Sequence, residues 1–148
     1  MTAVKATEVR PGLVVHLDTA VLRKLGGAET NAEVNGTHDR AVQGPHYFLV
    51  LEVGADRCTA APLFSIQAPG SDQLAESGKS GLADKWIGDP TYTSRWQQWR
   101  IPLASIEAAS ADEESSSSDR RGYSGTEFTE VATLLSWQTR NRAGYRAV

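Results

Sequence analysis

With 148 residues the chain is the size of one domain, long enough for a single sizeable core and too short for two. Hydrophobic residues make up 40% and charged residues 22%, too apolar a mix for a disordered chain. Its longest apolar runs, Leu13–Val15 and Tyr47–Leu51, are far too short to cross a bilayer. The first residues offer only Lys5 ahead of Glu8 and no secretory apolar core, so no export signal and no membrane partner are expected. The single cysteine, Cys58, cannot form an internal disulfide, which fits a reducing cytoplasm. A net charge of −3 argues against nucleic acid. Four of the acids (Asp112, Glu113, Glu114, Asp119) share one serine-rich stretch, however, while five arginines follow from Arg120 onward. That segregation leaves two readings, a locally basic face or arginines that complement a helix dipole.

In chain order, Arg10-Pro-Gly opens a turn and Leu13–Leu17 a short strand, since Pro11 presets the turn and Val14 and Val15 favour extended backbone. Ala20–Leu25 is either further strand or one helical turn, ended by Gly26-Gly27. Residues 28–44 are polar, aperiodic and read as one long loop. The clearest element pair is His46–Val53 and Arg57–Ser65, an antiparallel hairpin joined at Gly54-Ala55-Asp56. Tyr47, Leu49 and Leu51 would face one side and Phe48, Val50 and Val53 mostly the other, the pattern of a central strand. Residues 67–81 read as a second loop. Trp86-Ile87 precedes a Gly88-Asp89-Pro90 turn, and Trp96–Ile101 and Ser105–Ala108 read as short extended pieces split by Pro102.

Residues 109–122 read as a disordered acidic, serine-rich linker. A C-terminal helix is predicted over 124–142. Ser124 and Glu127 have capping-box spacing, Phe128, Val131, Leu134, Leu135 and Gln138 recur at helical period, and Gly144 can end it. Such a face must dock on something apolar. The predicted fold is therefore one mainly β domain, a small antiparallel barrel with one C-terminal α-helix. No internal repeat is present.

This order of elements resembles the PemK/MazF family of plasmid-maintenance toxins. The matching segments are Arg10-Pro-Gly-Leu-Val-Val-His-Leu-Asp18, Gly44-Pro-His-Tyr-Phe-Leu-Val-Leu51 and Ala61-Pro-Leu-Phe-Ser65. The resemblance implies a strongly curved, Src-homology-3-like barrel that cleaves RNA without a metal or cofactor. It further implies neutralisation by an antitoxin peptide, and it leaves a homodimer open. Two positions depart from the family pattern. His46 stands where the family has an arginine, and Phe64 stands where it has a threonine or serine, with Ser65 one residue on. A step of one residue turns a strand side chain to the other face, so Ser65 replaces the family hydroxyl only across a bulge.

Metal-free RNA cleavage needs a base, an acid and a cation around one phosphate. His46 is the candidate acid or base because imidazole titrates near neutrality, and His38 on the preceding loop could complete a pair. Arg57 and Arg40 are the nearest cations, and Ser65 a hydroxyl donor. The plainer reading makes His46 a strand-end residue satisfied by backbone and His38 a solvated one. The stretch Ser94-Arg-Trp-Gln-Gln-Trp-Arg100 brackets two tryptophans with arginines. Arg95, Trp96, Trp99 and Arg100 could stack bases and hold phosphates, or anchor a protein partner. Three residues apart on a strand, one tryptophan should be core and the other not. Zinc spacing is missing among His16, His38, His46 and Cys58, there is no Gly-x-Ser-x-Gly elbow, and Gly78-Lys79-Ser80 lacks the rest of a phosphate loop. Two functions follow as expectations. One is a cytoplasmic barrel binding RNA or a partner peptide under the 28–44 loop, with metal-independent endoribonuclease activity in a toxin–antitoxin pair. The other is a non-catalytic protein-interaction module built on the same surface.

Overall fold

The computed structural model describes residues 3–32, 41–67, 71–81, 86–94, 96–110, 126–132, 134 and 144–148. The fold is mainly β, built on an antiparallel sheet. Strand β1 (Val14–Asp18) runs directly into helix α1 (Thr19–Leu25), whose first turn is capped by the Asp18 carboxylate accepting the Ala20 amide at 2.9 Å. Gly26 and Gly27, at φ 79° and 88°, then turn the chain back, a conformation other residues adopt only under strain. Strand β2 (Glu29–Thr30) follows inside the stretch predicted as loop. It is too short to show any period and exists because β8 and β10 pair with it on either side.

The predicted hairpin is present as β3 (Pro45–Val53) and β4 (Arg57–Phe64). A register shift falls between Val50 and Glu52, and the turn carries Val53 out to solvent instead of into the core. Residues 67–81, also predicted as loop, contain β5 (Ser71–Gln73) and β6 (Lys79–Ser80). Strand β7 (Tyr92–Ser94) precedes β8 (Trp99–Pro102), and α2 (Leu103–Ser110) follows at once. The extended piece predicted at Ser105–Ala108 is therefore helical. Buried Ser105, Ile106, Ala109 and Ser110 lie one turn apart and pack toward β1 and α1. Ala109 and Ser110, predicted as linker, are buried in this helix, and Ser110 Oγ accepts the Val4 amide at 2.8 Å. Residues 111–122 of that linker lie outside the described residues.

Strand β9 (Glu127–Phe128) pairs with β6, and β10 (Arg146–Ala147) with β2. Glu127 is thus an extended residue and not the first turn of a helix; its carboxylate takes the Arg10 guanidinium. Val131, Ala132 and Leu134 are helical, and most of the remaining 124–142 helix prediction lies outside the described residues. Two helices, α1 and α2, stand ahead of that segment, so helix is not confined to the C-terminal end.

The main sheet runs β1-β3-β4-β8-β2-β10, with β7 and β5 branching from the far half of β4. Among the described residues this path does not close, which corrects the predicted closed barrel. Its central strands are buried on both faces, as their unbroken apolar runs require. Phe48 and Val50 join Val15, Leu17, Cys58, Ala60, Trp99, Ile101 and Ile106 in one core. Leu49 and Leu51 join Val14, Ala61, Leu63, Leu74, Trp86, Phe128, Val131 and Leu134 in the other. No described helix is long and apolar enough to cross a membrane.

Candidate functional site

Strand β4 carries both ends of the predicted catalytic set, and they lie far apart. Arg57 is its first residue. Its guanidinium donates to the Gly27 carbonyl at 2.8 Å and meets the Glu29 carboxylate at 3.4 Å, an exposed pair of small energetic weight. His46, near the start of β3, stands against the opposite end of β4, with its ring centroid 5.2 Å from that of Phe64 and 5.9 Å from that of Phe48. The eight residues of β4 span about 24 Å at an ordinary strand rise, so Arg57 does not serve a phosphate at His46. Phe64, not Ser65, meets the His46 ring. Ser65 lies exposed one residue beyond the strand, and the ladder irregularity that could have turned it inward is at Val50–Glu52 instead.

The electrostatics of His46 follow from this apolar setting. Burial holds its imidazole below the ordinary value of 6.5, against a weaker opposing effect from a hydrogen bond to the Leu63 backbone. Its Nε2 is buried with no hydrogen-bond partner among the described residues. Among the described residues no charged side chain contributes to its titration. The ring is therefore neutral at neutral pH. It can accept one proton, and among the described residues no cation stands beside it to hold a developing phosphorane. His38, Arg40 and Arg95 lie outside the described residues.

Of the two tryptophans one is core and one is not, although Trp96 precedes β8 and shares no strand with Trp99. Trp99 is fully buried in the first core, edge-on to Phe48 at 5.6 Å, and its Nε1 donates to Gln97 Oε1 at 2.9 Å. It is no binding residue; its indole is spent on packing. Trp96 is 42% exposed although its backbone is fastened on both sides. Its amide donates to Ser94 Oγ at 3.0 Å, and its carbonyl accepts Asn31 Nδ2 at 2.6 Å. Arg100 lies on the half-exposed row that includes Thr59 and Glu29, with its guanidinium 3.8 Å from the Tyr145 ring centroid.

The amides that fasten this region were not singled out from the sequence. Asn31 Oδ1 accepts the Gln98 amide at 2.7 Å, Gln97 Oε1 accepts the Val42 amide at 3.1 Å, and Tyr145 donates its hydroxyl to Gln98 Oε1 at 2.8 Å. Gln97 and Gln98 are both buried, and they tie the two described ends of the 28–44 stretch to the segment between β7 and β8. Their adjacency between two tryptophans was the available signal, since buried amides must find partners.

No protein-family model, curated protein or solved structure matches this chain.

A second polar cluster forms where β6 meets the following turn. Lys79, whose side chain has no exposure, places Nζ 2.6 Å from Glu76 Oε2, 2.7 Å from the Asp89 carbonyl and 4.9 Å from the Trp86 ring centroid. Glu76 also accepts the Gly88 amide at 3.0 Å, and these contacts draw its carboxyl below the usual range. Lys79, read as the end of an incomplete phosphate loop, is here a structural clasp. Among the described residues no three His, Cys, Asp or Glu side chains gather as a metal site.

Proposed function

We propose that this chain is a non-catalytic interaction module that presents Trp96 to a peptide segment of a protein partner. The observation that carries this reading is the contrast between the indole and its backbone. A large aromatic face stands in solvent on a segment whose amide and carbonyl are both held by side chains. An anchor ordered before binding loses little conformational entropy on association, and tryptophan is among the residues that dominate interface energetics.

Cleavage of RNA is the less favoured reading. His46 has phenyl rings for neighbours, Arg57 is engaged at the other end of β4, and Trp99 is not available to stack a base. From the PemK/MazF resemblance the proposal keeps the curved β scaffold and the partner peptide, and sets the ribonuclease chemistry aside.

The test compares wild type with Trp96→Ala, each cross-linked in cells and recovered by an affinity tag. In parallel, fluorescence anisotropy follows a labelled single-stranded RNA titrated with each protein. The proposal expects one protein partner recovered with wild type and lost with Trp96→Ala, and no saturable RNA binding at micromolar protein. Equal recovery by both proteins, or RNA binding that Trp96→Ala weakens, overturns it.

A further inference from the structure

The backbone pairing between β3 and β4 ends at Phe48 opposite Pro62. Beyond that point β3 continues through Tyr47, His46 and Pro45, still paired with β1, while β4 continues through Leu63 and Phe64 and pairs instead with β7. Over these last residues the His46 ring lies edge-on to the Phe64 ring, with centroids 5.2 Å apart. The imidazole thus stands where the ladder stops, in edge contact with two phenyl rings and with Nε2 buried and unpartnered among the described residues.

We infer that His46 is an acid-operated latch on this joint: protonation of Nε2 parts the Pro45–Tyr47 end of β3 from Leu63–Phe64 while the rest of the sheet stays paired.

The reason is that an imidazolium here gains a second donor and a charge that no group among the described residues receives. Leu17 of β1 stands opposite His46. Its neighbour Asp18 uses its carboxylate to cap α1, and His16 packs against Tyr47 at 4.7 Å, on the face opposite His46. From β4, Leu63 and Phe64 bring no charge, and Arg57 is at the far end. Tyr92 of β7 pairs with Phe64, and Glu52 lies at the other end of β3. Helix α1 is joined to this end by Thr19, whose amide and hydroxyl both donate to the Gly44 carbonyl, and its Arg23 and Lys24 sit in an exposed last turn. None of these groups neutralises a cation at Nε2, and three, Arg57, Arg23 and Lys24, are cations themselves. A buried charge without a partner is relieved by moving it into water. The route for His46 into water is short, because the residue as a whole is only half-buried.

The depressed imidazole pKa fixes the direction. A histidine harder to protonate in the folded state leaves the joint intact above the ordinary value of 6.5 and weakens it as pH falls below that. This inference is independent of the Trp96 proposal.

The test uses the full chain, labelled with ¹⁵N. Imidazole resonances are titrated, and amide exchange is measured between about pH 7 and about pH 5 and corrected for intrinsic rates. The latch predicts His46 titrating below the ordinary histidine range. It also predicts protection at Tyr47 and Leu63, whose amides face this joint, falling by up to about tenfold per unit of pH below 6.5, with Phe48, Phe64, Ile101 and Ala60 unchanged. In His46→Phe, and in His46→Gln should the first fold poorly, the local fall disappears. Titration at the ordinary value, the same local fall in the variants, or loss of protection that includes Ile101 overturns the inference.

Discussion

Trp99 and Trp96 are three residues apart and should answer truncation in opposite ways. Trp99 is fully buried, packs edge-on against Phe48 and donates its indole N–H to Gln97. Trp99→Ala removes that burial and leaves a large cavity in the first core, a change that costs about 3–5 kcal/mol. The loss of the hydrogen bond is contained, because Gln97 Oε1 keeps the Val42 amide at 3.1 Å. A domain of this size holds on the order of 5–15 kcal/mol in all, so the variant is left with a minor part of its stability or none. Trp96→Ala removes a half-exposed indole while the Ser94 and Asn31 contacts to its backbone survive, and should change stability by no more than about 0.5 kcal/mol. Urea unfolding followed by far-ultraviolet circular dichroism separates the two. With a slope of about 1–3 kcal/mol per molar, Trp99→Ala lowers the midpoint by at least about 1 M, or the protein is unfolded without urea. The midpoint for Trp96→Ala stays within a few tenths molar. A Trp99→Ala protein with the wild-type midpoint would refute the assignment of that side chain to the core.

Further expectations follow from single positions. Cys58 is buried and its thiol is pushed up to about 12, so a thiol reagent should leave the native protein unlabelled and react only as urea unfolds it. Lys79→Met removes the Nζ contacts to Glu76 and the Asp89 carbonyl from a fully buried position and should cost about 2 kcal/mol, read from the same urea midpoint. Gly12 has φ 95°, and a Cβ there would fall 2.6 Å from the Phe128 carbonyl oxygen. Gly12→Ala should therefore lose about 2 kcal/mol or more and melt at least about 4 °C lower by calorimetry.

What the sequence disclosed was whatever a local pattern carries. The β3–β4 hairpin is readable because an aromatic and β-branched run is broken by Gly54-Ala55-Asp56, and its apolar residues on both faces announced a central strand. Strands β2, β5, β6, β7 and β9 are two or three residues long and exist only through their partners, so nothing local marks them. Helix α2 lies where Pro102 suggests a break between extended pieces, yet Ser105, Ile106, Ala109 and Ser110 share a helical face. At the candidate site the split between Trp96 and Trp99 is as expected, but strand alternation does not cause it: Trp96 precedes β8, and Gln97, Gln98 and Trp99 are buried in succession. The isolation of His46 from Arg57 is implicit in the hairpin itself, which sets the start of β3 against the end of β4. Lys79 is opaque because its partners Trp86 and Asp89 arrive from a later turn whose return path no local pattern sets.

Whether this scaffold binds without cutting is read directly by a single assay. Long RNA is incubated with purified protein in EDTA at neutral pH, beside His46→Ala. The account predicts RNA that stays full length with both proteins. Cleavage by the wild type that is lost with His46→Ala would contradict it.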